Sequence, residues 1–389
     1  MKILVICQYY YPEPFRIADI CEALVKEGNE VDVITSFPNY PMGEIYDGYK
    51  NGEHKDETIN GVNVHRVFTI GRKTGSLHRF LNYYAYSIAS SLYISKMKKE
   101  YDVVFVYQLS PVMMAQAALR YKKKFGKKVV LYCLDLWPES LTLGGIKKSG
   151  LIYSYYKKLS EKIYNSVDEI MVSSRMFADY LKGVLRIKQD RIQYLPQYAE
   201  DVFCGSDNHT DETINITFAG NIGTTQSIET ILYAAQKLKS KNIWFNFYGD
   251  GSGLEKMVAL AKALKTEKVV FRGRVPIEEL PEKYAKSDAL VVSLSDNAVL
   301  SMSFPGKIQS YMAAGKPIVA SLNGEAARII GEAECGFVAP AEDVDGLVSC
   351  IEKLICADKE ALGKNSREYY DKYFRKKDFI DKLLKVLSE

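Results

Sequence analysis

No stretch of this 389-residue chain stays apolar for the roughly 20 residues a membrane-spanning helix needs. Its opening run, Lys2-Ile3-Leu4-Val5-Ile6-Cys7, reads as a short strand, too brief for the core of a secretion signal. The seven cysteines contain no C-x-x-C pair and their number is odd. That argues against a disulfide framework or a thiolate zinc site and points to a reducing, cytoplasmic setting. Histidine is scarce, with four in all. His65 alternates within a strand, His54 and His209 lie in polar loops and His78 sits among basic residues, so each reads as structural or solvated. Charge is not lopsided either. A net +4 from 52 basic and 48 acidic residues is too mild to argue for a nucleic-acid partner. No D-x-D fits a metal-bound nucleotide, because Asp343-Val344-Asp345 reads as the cap and first turn of a helix.

What is present is a soluble α/β composition, 47% hydrophobic and 26% charged, long enough for two domains. Short apolar runs alternate with helical patterns. Strands are expected over Ile3–Cys7, Val31–Thr35, Val62–Phe68, Val103–Tyr107, Val129–Cys133 and Glu169–Val172. After a polar stretch, Gln197–Thr213, they restart at Ile214–Ala219, Ile243–Tyr248, Val269–Phe271, Ala289–Ser293, Pro317–Ser321 and Gly336–Val338. Such alternation predicts two doubly wound, Rossmann-like domains, residues 1–200 and 214–365, joined by a linker over 201–213. Ligands of such sheets bind beyond the carboxyl ends of the strands, so two facing domains make one cleft.

The densest signal is Ser303-Phe304-Pro305-Gly306-Lys307-Ile308-Gln309-Ser310-Tyr311, a helix opened by Pro305 and stopped by Gly315. Unpartnered amides and the positive dipole end of its first turn suit a phosphate, and Lys307 adds a full charge. Three strand ends carry glycine turns: Gly220-Asn221-Ile222-Gly223-Thr224-Thr225-Gln226, Gly249-Asp250-Gly251-Ser252-Gly253 and Arg272-Gly273-Arg274. Glycine lets a backbone approach a diphosphate closely, although each turn alone also serves plain turn geometry.

Together these segments resemble the nucleotide-sugar domain of GT-B glycosyltransferases of the large retaining family four. The resemblance rests on Phe218-Ala219-Gly220-Asn221-Ile222-Gly223, Ala289–Leu294 and Tyr311-Met312-Ala313-Ala314-Gly315-Lys316-Pro317. The first half resembles the branch that builds bacterial capsule and O-antigen chains on lipid carriers, a colanic-acid and FucNAc-transferase-like group. Its carrying residues are Gln8-Tyr9-Tyr10-Tyr11-Pro12-Glu13-Pro14-Phe15-Arg16, Phe37-Pro38-Asn39-Tyr40-Pro41, Tyr107-Gln108-Leu109-Ser110-Pro111 and Asp135-Leu136-Trp137-Pro138-Glu139-Ser140.

The resemblance implies a cytoplasmic, metal-independent enzyme without cofactor that moves a sugar, UDP-linked and N-acetylated or deoxy, to a lipid-linked glycan. For the donor phosphates it points to Asn221, Gly223, Thr224, Gln226, Arg274, Pro305, Gly306, Lys307 and Arg16. For base, ribose or sugar it points to Gly249, Gly273, Gln309, Ser310 and Glu325. Asp135, Glu139 and Glu13, in loops past strand ends, are the candidates for taking the acceptor's proton, and Trp137 either stacks on a sugar or fills the core. Two features depart from the family pattern. Met302 and Ser310 stand where two glutamates are usual, and Asn221 and Gln226 where an arginine and a lysine are usual. A GT-B epimerase and a non-catalytic partner subunit are the rival expectations. The helix expected over Phe80–Lys99 sets Leu81, Ala85, Ile88 and Leu92 on one face amid tyrosines and basic residues, a pattern suited to the surface of an anionic membrane. The C-terminal amphipathic run over Lys376–Glu389 is expected to return, from about residue 366, to the first domain.

Overall fold

The computed structural model describes residues 1–73, 75–203 and 213–389. The first compact unit comprises Met1–Leu195 together with Ile380–Glu389. In chain order it contains β1 (Lys2–Ile6), α1 (Ile17–Lys26), β2 (Glu30–Ser36), β3 (Asp56–Ile59), β4 (Val62–Val67), α2 (Ser76–Lys96), β5 (Val103–Gln108) and α3 (Gln116–Phe125). There follow β6 (Lys128–Cys133), α4 (Ser140–Leu143), α5 (Leu151–Ser166), β7 (Glu169–Val172), α6 (Arg175–Gly183) and β8 (Ile192–Tyr194). Its eight strands lie in the order β3-β4-β2-β1-β5-β6-β7-β8. All pairs are parallel except β3 against β4. Strands such as Val103–Gln108 are buried along their whole length, as a sheet covered by helices on both faces requires.

The second unit runs from Pro196 to Phe379. Its elements are β9 (Ile214–Ala219), α7 (Ile228–Lys237), β10 (Ile243–Tyr248), α8 (Leu254–Ala263), β11 (Val269–Gly273), α9 (Leu280–Ala285), β12 (Ala289–Ser293) and α10 (Ala298–Met302). They continue with α11 (Gly306–Ala313), β13 (Ile318–Ser321), α12 (Glu325–Glu332), β14 (Gly336–Ala339), α13 (Val344–Cys356) and α14 (Lys359–Tyr373). The sheet is wholly parallel, in the order β11-β10-β9-β12-β13-β14. One hydrophobic cluster, including Leu290, Tyr311 and Ile330, fills one face, and another, including Phe218, Phe247 and Leu347, fills the other.

Both units are doubly wound α/β structures. In each, the strand order turns back at a central pair, β1/β5 and β9/β12, where a crevice opens beyond the strand ends. Two expected boundaries shift. Most of the expected linker lies outside the described residues, but Ala199 and Phe203 are buried in the second unit's core. The return to the first unit starts at Ile380 rather than near 366, because α14 packs on α11 and Tyr370 and Phe374 belong to the second core. The last helix, α15 (Lys376–Ser388), is fastened there by Lys128 Nζ to the Val386 carbonyl at 2.7 Å and Lys382 Nζ to the Tyr194 carbonyl at 2.7 Å. Among the described residues no helix is long and apolar enough to cross a membrane.

Candidate active site

In the second unit, the loop after β9, the loop after β12 and the start of α11 converge. Tyr311, fully buried, ties the helix to the strand: its hydroxyl accepts from the Ala219 amide at 3.1 Å. Ser293 Oγ donates to the carbonyls of Gln226 and Ser227 at 2.5 and 3.1 Å, and Ser295 donates through its amide to Thr225 and through its hydroxyl to Thr224. The turn Thr224–Gln226 is thereby clamped against the end of β12.

Pro305 is the N-cap of α11 and offers no side-chain acceptor, so the first-turn amides at Gly306 and Lys307 have no cap. Lys307 reaches under the first glycine turn. Its Nζ donates to Gln226 Oε1 at 2.5 Å and lies 4.0 Å from the centre of the Phe218 ring. A Cβ added at Gly220 would lie 3.2 Å from that nitrogen. Among the described residues no carboxylate pairs with it, and burial lowers its pKa to about 7. A partly buried ammonium beside an uncapped helix start is a ready anion site.

The glycine turns hold one another. A Cβ at Gly249 would sit 1.9 Å from the Gly220 carbonyl oxygen, and one at Gly251 would sit 2.6 Å from the Ile222 oxygen. The amides of Gly220 and Ile222 donate to Tyr248 and Asp250, and that of Gly249 donates to Gly273. Close backbone approach therefore does occur at these turns, between the loops themselves at Gly249 and Gly251, whereas the Cβ position of Gly273 faces open space. Asn221 and Gly223 share the outer part of the first turn, where Asn221 Nδ2 would lie 2.7 Å from a Cβ on Gly223. Arg274 is exposed just past β11, while Arg272 is held by Asn246.

Gln309 and Ser310, both on α11, bond to the segment that leads into this unit. Gln309 Nε2 donates to the Gln197 carbonyl and Ser310 Oγ donates to Glu200 Oε2 at 3.2 Å. Glu325 opens α12, buried, and pairs with Arg328 at 2.7 Å. The turn before it is forced by Gly324, at φ +75°, because a Cβ there would meet the Ser301 oxygen at 2.0 Å. Asp343 accepts from the Gly346 amide at 2.8 Å and caps α13.

In the first unit the loops after β1, β2, β5 and β6 share one sheet edge, and each contains a cis X–Pro bond: Tyr11-Pro12, Tyr40-Pro41, Ser110-Pro111 and Trp137-Pro138. Asp135, in the loop after β6, reaches across to the loop after β5, its Oδ2 accepting from the Ser110 amide at 2.9 Å. Burial raises its pKa, while the Ser110 bonds and the Arg72 charge pull it back. Trp137 is core: it is buried and donates from Nε1 to Ser110 Oγ at 2.9 Å.

The other two carboxylates serve the loops. Glu13 Oε1 accepts from the amides of Asn39 and Tyr40 at 2.8 and 2.7 Å, and Oε2 from Tyr10 at 3.3 Å. It clasps the β1 and β2 loops, and burial raises its pKa to about 7 against the pull of those amides. Glu139, also buried, accepts from the Tyr153 hydroxyl at 2.5 Å and pairs with Lys148 at 2.7 Å. Both therefore serve as loop anchors. Arg16 occupies the N-cap position of α1. Arg72 is a residue that motif reading missed: its guanidinium reaches over the Tyr40 ring at 5.5 Å, and its charge favours ionised Asp135.

His65 Nδ1 lies 2.7 Å from Asp56 and Nε2 lies 3.9 Å from Asp32, an ion-pair cluster at the β3–β4 edge. Among the described residues no group of three His, Cys, Asp or Glu side chains could hold a metal ion.

Comparison with known proteins agrees with this architecture. Residues 16–197 match the model described as Glycosyltransferase Family 4, and residues 213–357 the model described as Glycosyl transferases group 1. WbjE of Pseudomonas aeruginosa, described as a probable glycosyltransferase, is 28% identical over 294 residues, covering 72% of this chain and 73% of its own. WcaI of Escherichia coli (strain K12), provisionally named a colanic acid biosynthesis glycosyl transferase, is 23% identical over 98% of both chains. The crystal structure of Anabaena HepE in complex with UDP-glucose superposes with a TM-score of 0.72 at 13% identity, covering 100% of this chain and 99% of that one. The chain therefore has the GT-B fold of the group 1 and family 4 glycosyltransferases, with WbjE and WcaI as distant relatives.

Proposed function

We propose that this chain is a retaining glycosyltransferase that moves a sugar from a UDP-linked donor to a lipid-linked surface-polysaccharide precursor. The observation that carries the proposal is Lys307, an ammonium without a carboxylate partner among the described residues, held under the first glycine turn at the uncapped start of α11. The UDP-glucose bound by the structural neighbour HepE and the polysaccharide named for WcaI support the choice of donor and product class.

Breaking the sugar's C1–O bond leaves charge on the departing diphosphate, so donors already aimed at that charge lower the barrier most. The α11 amides and Lys307 supply them, which makes a bound metal unnecessary in this scheme. The acceptor hydroxyl must lose a proton, and Asp135, in the loop after β6 and bonded to the Ser110 amide, is the carboxylate placed to take it. Gln309 and Ser310 remain the candidates for the ribose, and Glu325 the candidate for the sugar hydroxyls.

Calorimetry with UDP, followed by mass spectrometry of products from a panel of UDP-sugars and lipid-linked acceptors, tests this. Millimolar UDP without measurable binding would reject the donor site and favour a non-catalytic subunit. An epimeric UDP-sugar formed in the absence of acceptor would instead favour an epimerase, and UDP release only on addition of acceptor would exclude it.

A further inference from the structure

Helix α2 is inside out. Its buried side carries Asn82, Tyr83, Tyr86, Ser87, Ser90 and Ile94. Its outer side carries Leu77, Leu81, Tyr84, Ile88 and Leu92, spaced by three or four residues and so aligned in one stripe. Leu77 is 69%, Ile88 57% and Leu92 53% exposed. The stripe continues onto α5. Tyr84 meets Tyr156 hydroxyl to hydroxyl at 2.8 Å, and Phe80 stacks on the Tyr156 ring at 6.1 Å. Beside that joint α5 exposes Leu151 (89%), Ile152 and Tyr155. A folded monomer rarely leaves so much contiguous apolar surface in water without an occupant.

Charge selects the occupant. Ser76–Lys99 contains no aspartate or glutamate and α5 contains one, Glu161, which pairs with Lys157 at 3.8 Å, while Arg79, Lys96, Lys98, Lys147 and Lys158 are exposed on or beside the two helices. An apolar stripe edged by one sign of charge fits the boundary between acyl chains and anionic headgroups. A second copy of the chain fits poorly, because a symmetric contact would set these cations against each other.

We infer that the outer faces of α2 and α5 dock the first unit onto an anionic lipid bilayer. The position is apt: Trp137, two residues beyond Asp135, packs against Tyr83 of α2 at 6.4 Å and Tyr156 of α5 at 5.5 Å. The docked face therefore backs onto the loop that bears the candidate base. The purpose of docking rests on the lipid-linked acceptor proposed above; the surface itself does not.

Sedimentation of the whole protein with vesicles tests this, using phosphatidylcholine alone and phosphatidylcholine with about a quarter phosphatidylglycerol. Wild type should sediment with the anionic vesicles and much less with the neutral ones. Leu81→Asp with Ile88→Asp should weaken that partition by about tenfold or more, with Tm and UDP affinity unchanged. Lys147→Ser with Lys158→Ser should bring the two vesicle types closer together. A wild type that stays in solution, or an aspartate variant that sediments like wild type, overturns the inference. So does a dimer that the aspartate variant breaks, without vesicle binding. Docking without any sugar transfer would support this surface and overturn the transferase proposal.

Discussion

The ammonium of Lys307 lies 4.0 Å from the centre of the Phe218 ring, the last but one residue of β9, and its hydrogen-bond partner is the neutral Gln226. A cation held by a ring face and an amide oxygen, with its charge uncompensated, is suited to an incoming anion. Lys307→Ala should weaken UDP-sugar binding or turnover by about ten- to a hundredfold, equivalent to roughly 1.4–2.7 kcal/mol. Unchanged steady-state kinetics in a folded variant would sink the assignment.

The same lysine should make donor binding depend on pH. With its pKa lowered to about 7 by burial, it is half charged near neutrality. A bound diphosphate, fully ionised above about pH 7, favours the charged form and raises that pKa. UDP affinity should therefore fall as pH rises from about 7 towards 9, with proton uptake on binding, and Lys307→Met should flatten the profile. The sign for folding is opposite. A lysine whose pKa falls on folding adds stability above the unfolded value of about 10.4; that stability is lost as pH drops towards 7. Calorimetry in buffers of differing ionisation enthalpy reads the proton uptake directly.

Gly220 should tolerate no side chain. At φ +139° its backbone suits glycine, and an added Cβ would press on Lys307 Nζ at 3.2 Å. Gly220→Ala should lower UDP affinity by about tenfold or more, and an isotherm matching wild type would count against the placement of Lys307.

Asp135 and Glu13 should part company under mutation. Asp135→Asn should lower kcat by roughly a hundredfold while sparing UDP affinity. Glu13→Ala should act on stability, because the buried amides of Asn39 and Tyr40 lose their acceptor at about 1–3 kcal/mol each. Melting curves and one steady-state assay on both variants separate the roles; near-normal kcat in Asp135→Asn would reject the base.

Transfer should survive chelation. With Lys307 and the α11 amides balancing the diphosphate, EDTA should leave the rate unchanged. Complete loss restored by magnesium or manganese would show that the charge comes from elsewhere.

The two parallel sheets were legible because strands such as Val103–Gln108 are short apolar runs between helical patterns. Two edge strands were not. In β3, Asp56–Ile59, only a single isoleucine is apolar, and β8 is three residues long, so neither shows a pattern of its own. Missing β3 hid the ion pair of His65, which lies across the antiparallel register from Asp56. The phosphate end of α11 could be read from Pro305, Gly306 and Lys307, since helix starts have local signals. The roles of Gln309 and Ser310 could not, because their partners Gln197 and Glu200 lie more than a hundred residues away. Periodicity also aligned Leu81, Ile88 and Leu92 on α2, but only the burial of Tyr83 and Tyr86 opposite shows that this stripe faces out.

The interlocked glycine turns have an evolutionary consequence. With the Gly249 turn resting backbone to backbone on the Gly220 turn, lengthening either loop or adding a side chain at the contact would dislodge its neighbour. Change at this end of the sheet is thereby channelled to positions outside the contact that can alter one at a time, such as exposed Arg274. A lineage of such enzymes would keep its loop lengths fixed while these rim residues drift.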